Sequence, residues 1–239
     1  MRLVCLHGNS SSPAVFNDLR DVFEDVHTIT FPGHGGDFSS NPESDYSLDE
    51  LRAFAIRHIP QDEPFLLIGN SLGGHIAIEV TPQLKNCVGL VFFASPPLKR
   101  PLNIEEAFMP TDILGIFLEA DYTQEVIENA MKEIAVNEKV WPLLLSDFKN
   151  TDPKFREILG KSILNGELMD EIKILEKLSV PAYVIHGKQD PTPNIDYIKK
   201  LKGINKIFQI DQCGHYASIE APKKFNDIIK QIIQEVEND

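Results

Sequence analysis

The segment Gly69-Asn70-Ser71-Leu72-Gly73-Gly74-His75 sets a serine inside G-x-S-x-G, between an apolar β-rich run at 65–69 and a helical pattern. Nucleophilic chemistry needs that context. A tight strand-to-helix turn forces the serine into a strained backbone conformation and projects its hydroxyl outward. Glycine two residues to either side leaves room for close backbone approach. The helix N-terminus beneath the turn favours developing negative charge. The alternative reading of the same residues is a plain tight turn between strand and helix.

A serine nucleophile needs a base and an acid that orients it. His215 stands in Asp211-Gln212-Cys213-Gly214-His215-Tyr216, just after the last β-rich run and before the final helix. Asp190 follows another such run, in His186-Gly187-Lys188-Gln189-Asp190-Pro191. In a parallel sheet the carboxyl ends of strands share one edge, so Ser71, Asp190 and His215 are expected to converge there. Asp211 is the rival acid, but it lies only four residues before His215, within the strand end. The tetrahedral intermediate needs two donors. One is expected from the backbone N–H of Leu72. The other should come from the loop Leu6-His7-Gly8-Asn9-Ser10-Ser11-Ser12, with Asn9 the choice and His7 holding the loop.

Other patterns carry less. Ser146-Asp147-Phe148-Lys149 spells S-x-x-K without its companion motifs. Gly33-His34-Gly35-Gly36 lacks the third glycine of a dinucleotide loop. His75, one turn past Ser71, reads as a packing residue beneath the turn rather than a catalytic one. No C-x-x-C or H-E-x-x-H spacing suggests a metal, and no cofactor is implied.

The elements that must position these residues alternate. β-rich runs at 2–6, 26–31, 65–69, 88–93, 182–186 and 206–210 are mostly continuously apolar, as strands buried on both faces are. Helical patterns lie between them at 13–23, at 48–59 behind a Ser47/Glu50 capping box, after Ser71, at 192–201 and at 221–236. The alternation predicts an α/β fold with a mostly parallel, doubly wound sheet. One interval breaks the rhythm. Residues 98–179 show only helical patterns, at 123–136, 139–149 and 153–178 with a break near Asn165-Gly166, and proline stands at both ends. The division is therefore a core of 1–97 plus 180–239, with 98–179 inserted as a helical module.

Composition removes other classes. Lys and Arg number 23 against 36 Asp and Glu, a net charge of −13, so neither nucleic acid nor an anionic membrane is an expected partner. Three widely spaced cysteines, Cys5, Cys87 and Cys213, do not make a disulfide framework. The first residues lack a signal-peptide core, so a cytoplasmic location is expected.

Taken together, Leu6-His7-Gly8, Phe31-Pro32-Gly33-His34-Gly35, the Ser71 turn, His186-Gly187-Lys188-Gln189-Asp190, and Gly214-His215 followed by Ile219-Glu220-Ala221-Pro222 resemble the α/β-hydrolase superfamily over almost the whole chain. The resemblance implies Ser71 as nucleophile, His215 as base, Asp190 as acid, Leu72 and Asn9 as oxyanion donors, and 98–179 as a helical cap. The chain departs from the family at one edge: an antiparallel hairpin commonly precedes the His-Gly strand, but here Met1 already stands in that strand, so about six parallel strands are expected. The elbow is similar to that of carbon–carbon bond hydrolases acting on ring-cleavage products. Asn9-Ser10-Ser11 and Tyr216 depart from the Gly-rich stretch and the Trp usual in that group.

The expected function is a serine hydrolase cleaving a small or medium carboxylic ester through an acyl-enzyme, with a small-molecule substrate as its only expected partner. Phe108, Met109, Phe117, Trp141 and Phe148 of the inserted module, with Tyr216, are the candidates for an apolar acyl pocket. A carbon–carbon hydrolase or lyase of the same fold is the first alternative. A non-catalytic ligand-binding member is the second.

Overall fold

Val, Ile, Leu and Phe dominate the six β-rich runs, and all six form strands in the computed structural model, which describes residues 1–238. They are β1 (Arg2–Leu6), β2 (Val26–Ile29), β3 (Phe65–Asn70), β4 (Cys87–Phe93), β5 (Ala182–Gly187) and β6 (Lys206–Ile210). The order across the sheet is β2-β1-β3-β4-β5-β6, and every neighbouring pair is parallel. Alternate residues feed two cores, because successive side chains point to opposite faces. Leu3, Cys5, Leu66 and Ile68 pack on one face with Phe16, Phe225 and Ile229. Val4, Leu6, Phe65 and Leu67 pack on the other with Leu51, Ile76 and Ile78.

The chain runs outward from β1 to β2, then returns to place β3 on the other side of β1. That reversal opens a crevice at the carboxyl ends of β1 and β3, where open α/β sheets bind ligands. The loop after β1 and the Ser71 turn after β3 meet there.

The helices are α1 (Asn17–Arg20), α2 (Pro42–Asp45), α3 (Leu48–His58), α4 (Leu72–Val80), α5 (Ile104–Ala107), α6 (Gln124–Ile134), α7 (Trp141–Lys149), α8 (Pro153–Leu164), α9 (Glu171–Leu175), α10 (Ile195–Ile198), α11 (Ala217–Glu220) and α12 (Pro222–Asn238). The Ser47 hydroxyl caps α3 by accepting the Glu50 N–H at 3.2 Å, as the sequence predicts. Between β4 and β5 the described residues contain helices and turns but no strand.

Several helices are shorter than their sequence patterns. The 13–23 pattern divides into a 3₁₀ turn, Pro13–Phe16, and α1. The 192–201 pattern yields only α10, because Pro191 and Pro193 supply no N–H and Asn194 becomes the cap. The 153–178 pattern breaks where Gly166 takes a φ of +75°, and α9 restarts only after the Asp170 cap. No helix among the described residues is long and apolar enough to cross a membrane.

Candidate active site

Ser71 joins β3 to α4 with φ 52° and ψ −121°, a backbone conformation that a non-glycine residue holds only when its surroundings impose it. The imposition is visible. The Ser71 N–H donates to the Phe93 carbonyl at 2.9 Å, and the Ser95 hydroxyl donates to the Ser71 carbonyl at 2.7 Å. Both motif glycines face backbone. A Cβ on Gly69 would stand 2.4 Å from the Gly73 carbonyl oxygen, and one on Gly73 would stand 2.2 Å from that of Leu6.

Across the crevice, the loops after β5 and β6 are joined by backbone bonds from Lys188 to Ile210 (3.0 Å) and from Gln189 to Cys213 (2.9 Å). They bring Asp190 and His215 together. The His215 Nδ1–H faces the Asp190 carboxylate at 3.0 Å from Oδ2 and 3.2 Å from Oδ1. The Thr192 N–H (3.0 Å) and hydroxyl (2.9 Å) donate to Oδ1. Both side chains are almost fully buried. A carboxylate that only accepts fixes the proton on Nδ1 and leaves Nε2 with a lone pair. Asp211, the rival acid, is turned to the surface and pairs with Lys188 at 2.7 Å.

The loop after β1 is held by two imidazoles. His7 accepts the Phe31 N–H at Nε2 (3.1 Å) and donates from Nδ1 to the Gly8 carbonyl (2.8 Å). His34 accepts the Ser10 N–H at Nε2 (3.1 Å) and donates to the Pro32 carbonyl (3.0 Å). Each ring thus works as one donor and one acceptor, which requires the neutral form. Burial keeps them neutral, lowering the His7 pKa to about 4 and that of His34 well below its ordinary value. A Cβ on Gly8 would lie 3.0 Å from the Ser71 Cβ, so the loop passes directly over the serine. The backbone N–H groups of Asn9 and Leu72 find no acceptor among the described residues. The Asn9 side chain donates to the Phe117 carbonyl and accepts from the Ser10 hydroxyl at 3.1 Å.

Ser71, Leu72, Asn9 and His215 share the wall of one cavity of about 140 Å³. No hydrogen bond joins the Ser71 hydroxyl to the His215 ring among the described residues. Such bonds are often long before substrate enters. The rest of the wall is mostly apolar. Phe108, Phe117 and Tyr216 lie on it, but Met109, Trp141 and Phe148 do not. Met109 is exposed, its N–H tied to the Thr192 carbonyl. Trp141 donates its indole N–H to the Ala135 carbonyl at 2.9 Å. Phe148 is buried behind Phe117, with the Arg156 guanidinium 4.1 Å from its ring centre.

Three features escape local reading. Asn70, inside the motif, donates from Nδ2 to the His215 carbonyl at 3.4 Å and so links the serine turn to the loop after β6. Glu220 accepts the N–H groups of Gly214 (3.1 Å) and Tyr216 (2.9 Å) on either side of His215. His75, read as packing beneath the turn, lines the cavity, with its Nδ1 2.9 Å from a carboxylate oxygen of the buried Glu171. The i, i+4 spacing from Ser71 was the available signal for it.

Known proteins supply the context for this geometry. A model of the alpha/beta hydrolase family matches residues 3–228. A Mycoplasma genitalium protein named for esterase/lipase activity is 25% identical over 225 residues, 87% of this chain and 81% of that protein. The 2-hydroxy-6-oxo-6-(2'-aminophenyl)hexa-2,4-dienoic acid hydrolase of Metapseudomonas resinovorans is 22% identical, over 93% of this chain and 80% of that protein. Among solved structures, the N-acyl homoserine lactonase AidH complexed with N-butanoyl homoserine superposes with a TM-score of 0.87 at 24% identity. The match covers 98% of this chain and 89% of that one, and speaks for the fold.

Proposed function

Because the chain belongs to the alpha/beta hydrolase family, we propose that it is a serine hydrolase that cleaves short-chain carboxylic esters through an acyl-enzyme. One observation carries the proposal. A serine held at positive φ between strand and helix shares a cavity wall with a histidine whose far nitrogen is fixed by a buried aspartate.

His215 Nε2 takes the proton of Ser71 as its oxygen attacks the ester carbonyl. Asp190 holds the imidazole tautomer and stabilises the imidazolium that forms. The free N–H groups of Leu72 and Asn9 receive the oxyanion, each worth about 3 kcal/mol in comparable sites. The imidazolium then protonates the leaving alcohol, and water, deprotonated by the same ring, releases the acid.

The helices of 98–179 form a cap over this chemistry. Their contacts with the core support that role. Asn9 donates to the Phe117 carbonyl, the Ser12 hydroxyl donates to Asp147 at 2.8 Å, and Phe108 and Phe117 wall the cavity. A cavity of about 140 Å³ compares with one that takes a benzene-sized guest, which sets the acyl group at a few carbons.

Hydrolysis of p-nitrophenyl esters from acetate to dodecanoate tests the proposal. The expected result is activity concentrated at six carbons or fewer, with kcat reduced at least about 10⁴-fold in Ser71→Ala. Undiminished activity in Ser71→Ala would overturn it. Turnover of a ring-cleavage dienoate with none of any ester would move the reading to carbon–carbon hydrolysis, the reaction type in the name of the Metapseudomonas relative.

A further inference from the structure

His75 stands one helical turn beyond Ser71 on α4, about 5.4 Å along the axis, and lines the same cavity. Its Nδ1 lies 2.9 Å and 3.1 Å from the two carboxylate oxygens of Glu171. That carboxylate has no freedom to turn away. It is fully buried, and Oε2 also accepts the Leu98 N–H at 2.6 Å where the chain leaves β4 for the cap helices. The ring is therefore fixed, and its Nε2 has no partner among the described residues.

A histidine in an apolar cavity is ordinarily neutral. Here burial pulls its pKa down, but the charge and hydrogen bond of Glu171, aided by Glu79, outweigh burial and leave it raised. That favours the doubly protonated ring, whose Nε2–H faces a space with a wall that is otherwise nearly all hydrocarbon. A fixed donor facing the cavity is free to meet an acceptor on a bound molecule.

The surrounding charges already balance. Arg52 on α3 pairs with the buried Glu79 at 2.5 Å and with Asp49, and the His75 ring faces the buried Glu171, so each cationic group here already has a carboxylate. An anionic group entering the cavity would find no uncompensated positive charge.

We propose that His75 is a specificity-determining residue whose Nε2–H binds a neutral oxygen acceptor, a ketone or amide carbonyl, about one helical turn from the scissile carbonyl. The substrate class is thus a short ester whose acyl chain bears a neutral carbonyl three or four atoms from the ester carbon. The inference rests on the serine-hydrolase reading for which carbonyl is scissile, but its test does not need turnover.

Binding is measured by calorimetry in Ser71→Ala, with ethyl hexanoate, ethyl 4-oxohexanoate and monoethyl succinate as probes. Ethyl 4-oxohexanoate is expected to bind about 10-fold or more tightly than ethyl hexanoate, and monoethyl succinate no more tightly than ethyl hexanoate. Adding His75→Phe should reduce the oxo preference to less than about 2-fold. Adding Glu171→Gln should do the same, since it keeps an acceptor for Nδ1 but removes the charge that holds the second proton. Circular dichroism verifies that each variant is folded. Equal binding of the first two probes, a preference that survives His75→Phe, or tightest binding of the carboxylate would overturn the proposal. A failure of the triad reading looks different: binding follows the expected order, while the protein with Ser71 intact hydrolyses none of the esters.

Discussion

Glu220 accepts four backbone N–H groups: Val136 at 2.7 Å, Asn137 at 3.3 Å, Gly214 at 3.1 Å and Tyr216 at 2.9 Å. Two flank His215 and two follow α6, so one buried carboxylate fastens the loop after β6 to the segment after α6. Glu220→Ala would leave those donors unpaired inside the protein. The expected loss is at least about 3 kcal/mol in urea unfolding, with a fall in kcat beyond what the lost folded fraction explains. Unchanged stability would remove Glu220 from this role. Its sequence neighbourhood is visible in Gly214-His215 and Ile219-Glu220-Ala221-Pro222, but two of its partners lie more than 80 residues away. The same limit hid His75 and Glu171, 96 residues apart. The turn at Ser71 was legible because glycines within two residues announce it. The meeting of His215 and Asp190 was legible because each follows a strand end, and a parallel sheet brings strand ends to one edge.

Elements were legible in proportion to how far local pattern decides them. The four inner strands, β1, β3, β4 and β5, are continuous apolar runs buried on both faces, while the edge strands β2 and β6 are half exposed. Helix lengths were not, because Pro193, Gly166 and the caps at Asn194 and Asp170 outweigh the periodicity around them. The choice of wall residues failed likewise for Met109, Trp141 and Phe148, since helical spacing does not tell the cavity side from the core side. Contact between cap and core gives a prediction at this scale. Asp147 on α7 accepts the Ser12 hydroxyl at 2.8 Å, and burial raises its pKa to about 6. A carboxyl raised on folding favours the folded state fully below its unfolded pKa, near 4, and that contribution is lost as pH rises through 6. Asp147→Asn removes the charge and keeps an acceptor for Ser12. It should therefore raise Tm by about 5 °C at pH 8, with the gain gone at pH 4. Calorimetry at the two pH values reads this directly, and a gain independent of pH would contradict it.

At the scale of the molecule, the sheet order places its reversal between β1 and β3, and the loop after β1 and the Ser71 turn meet at that point. The β5 and β6 ends bring Asp190 and His215 together on one side, and residues between β4 and β5 complete the apolar wall. The net charge of −13 is spread over this frame, while the cavity itself is almost free of it. The most direct test of the central claim is intact-mass and peptide mapping after reaction with a small fluorophosphonate, which labels an activated serine and no other. One adduct per chain is expected, on Ser71, absent in Ser71→Ala and slowed at least about 10³-fold in His215→Gln. No adduct on Ser71, or one that forms equally fast without His215, would contradict it.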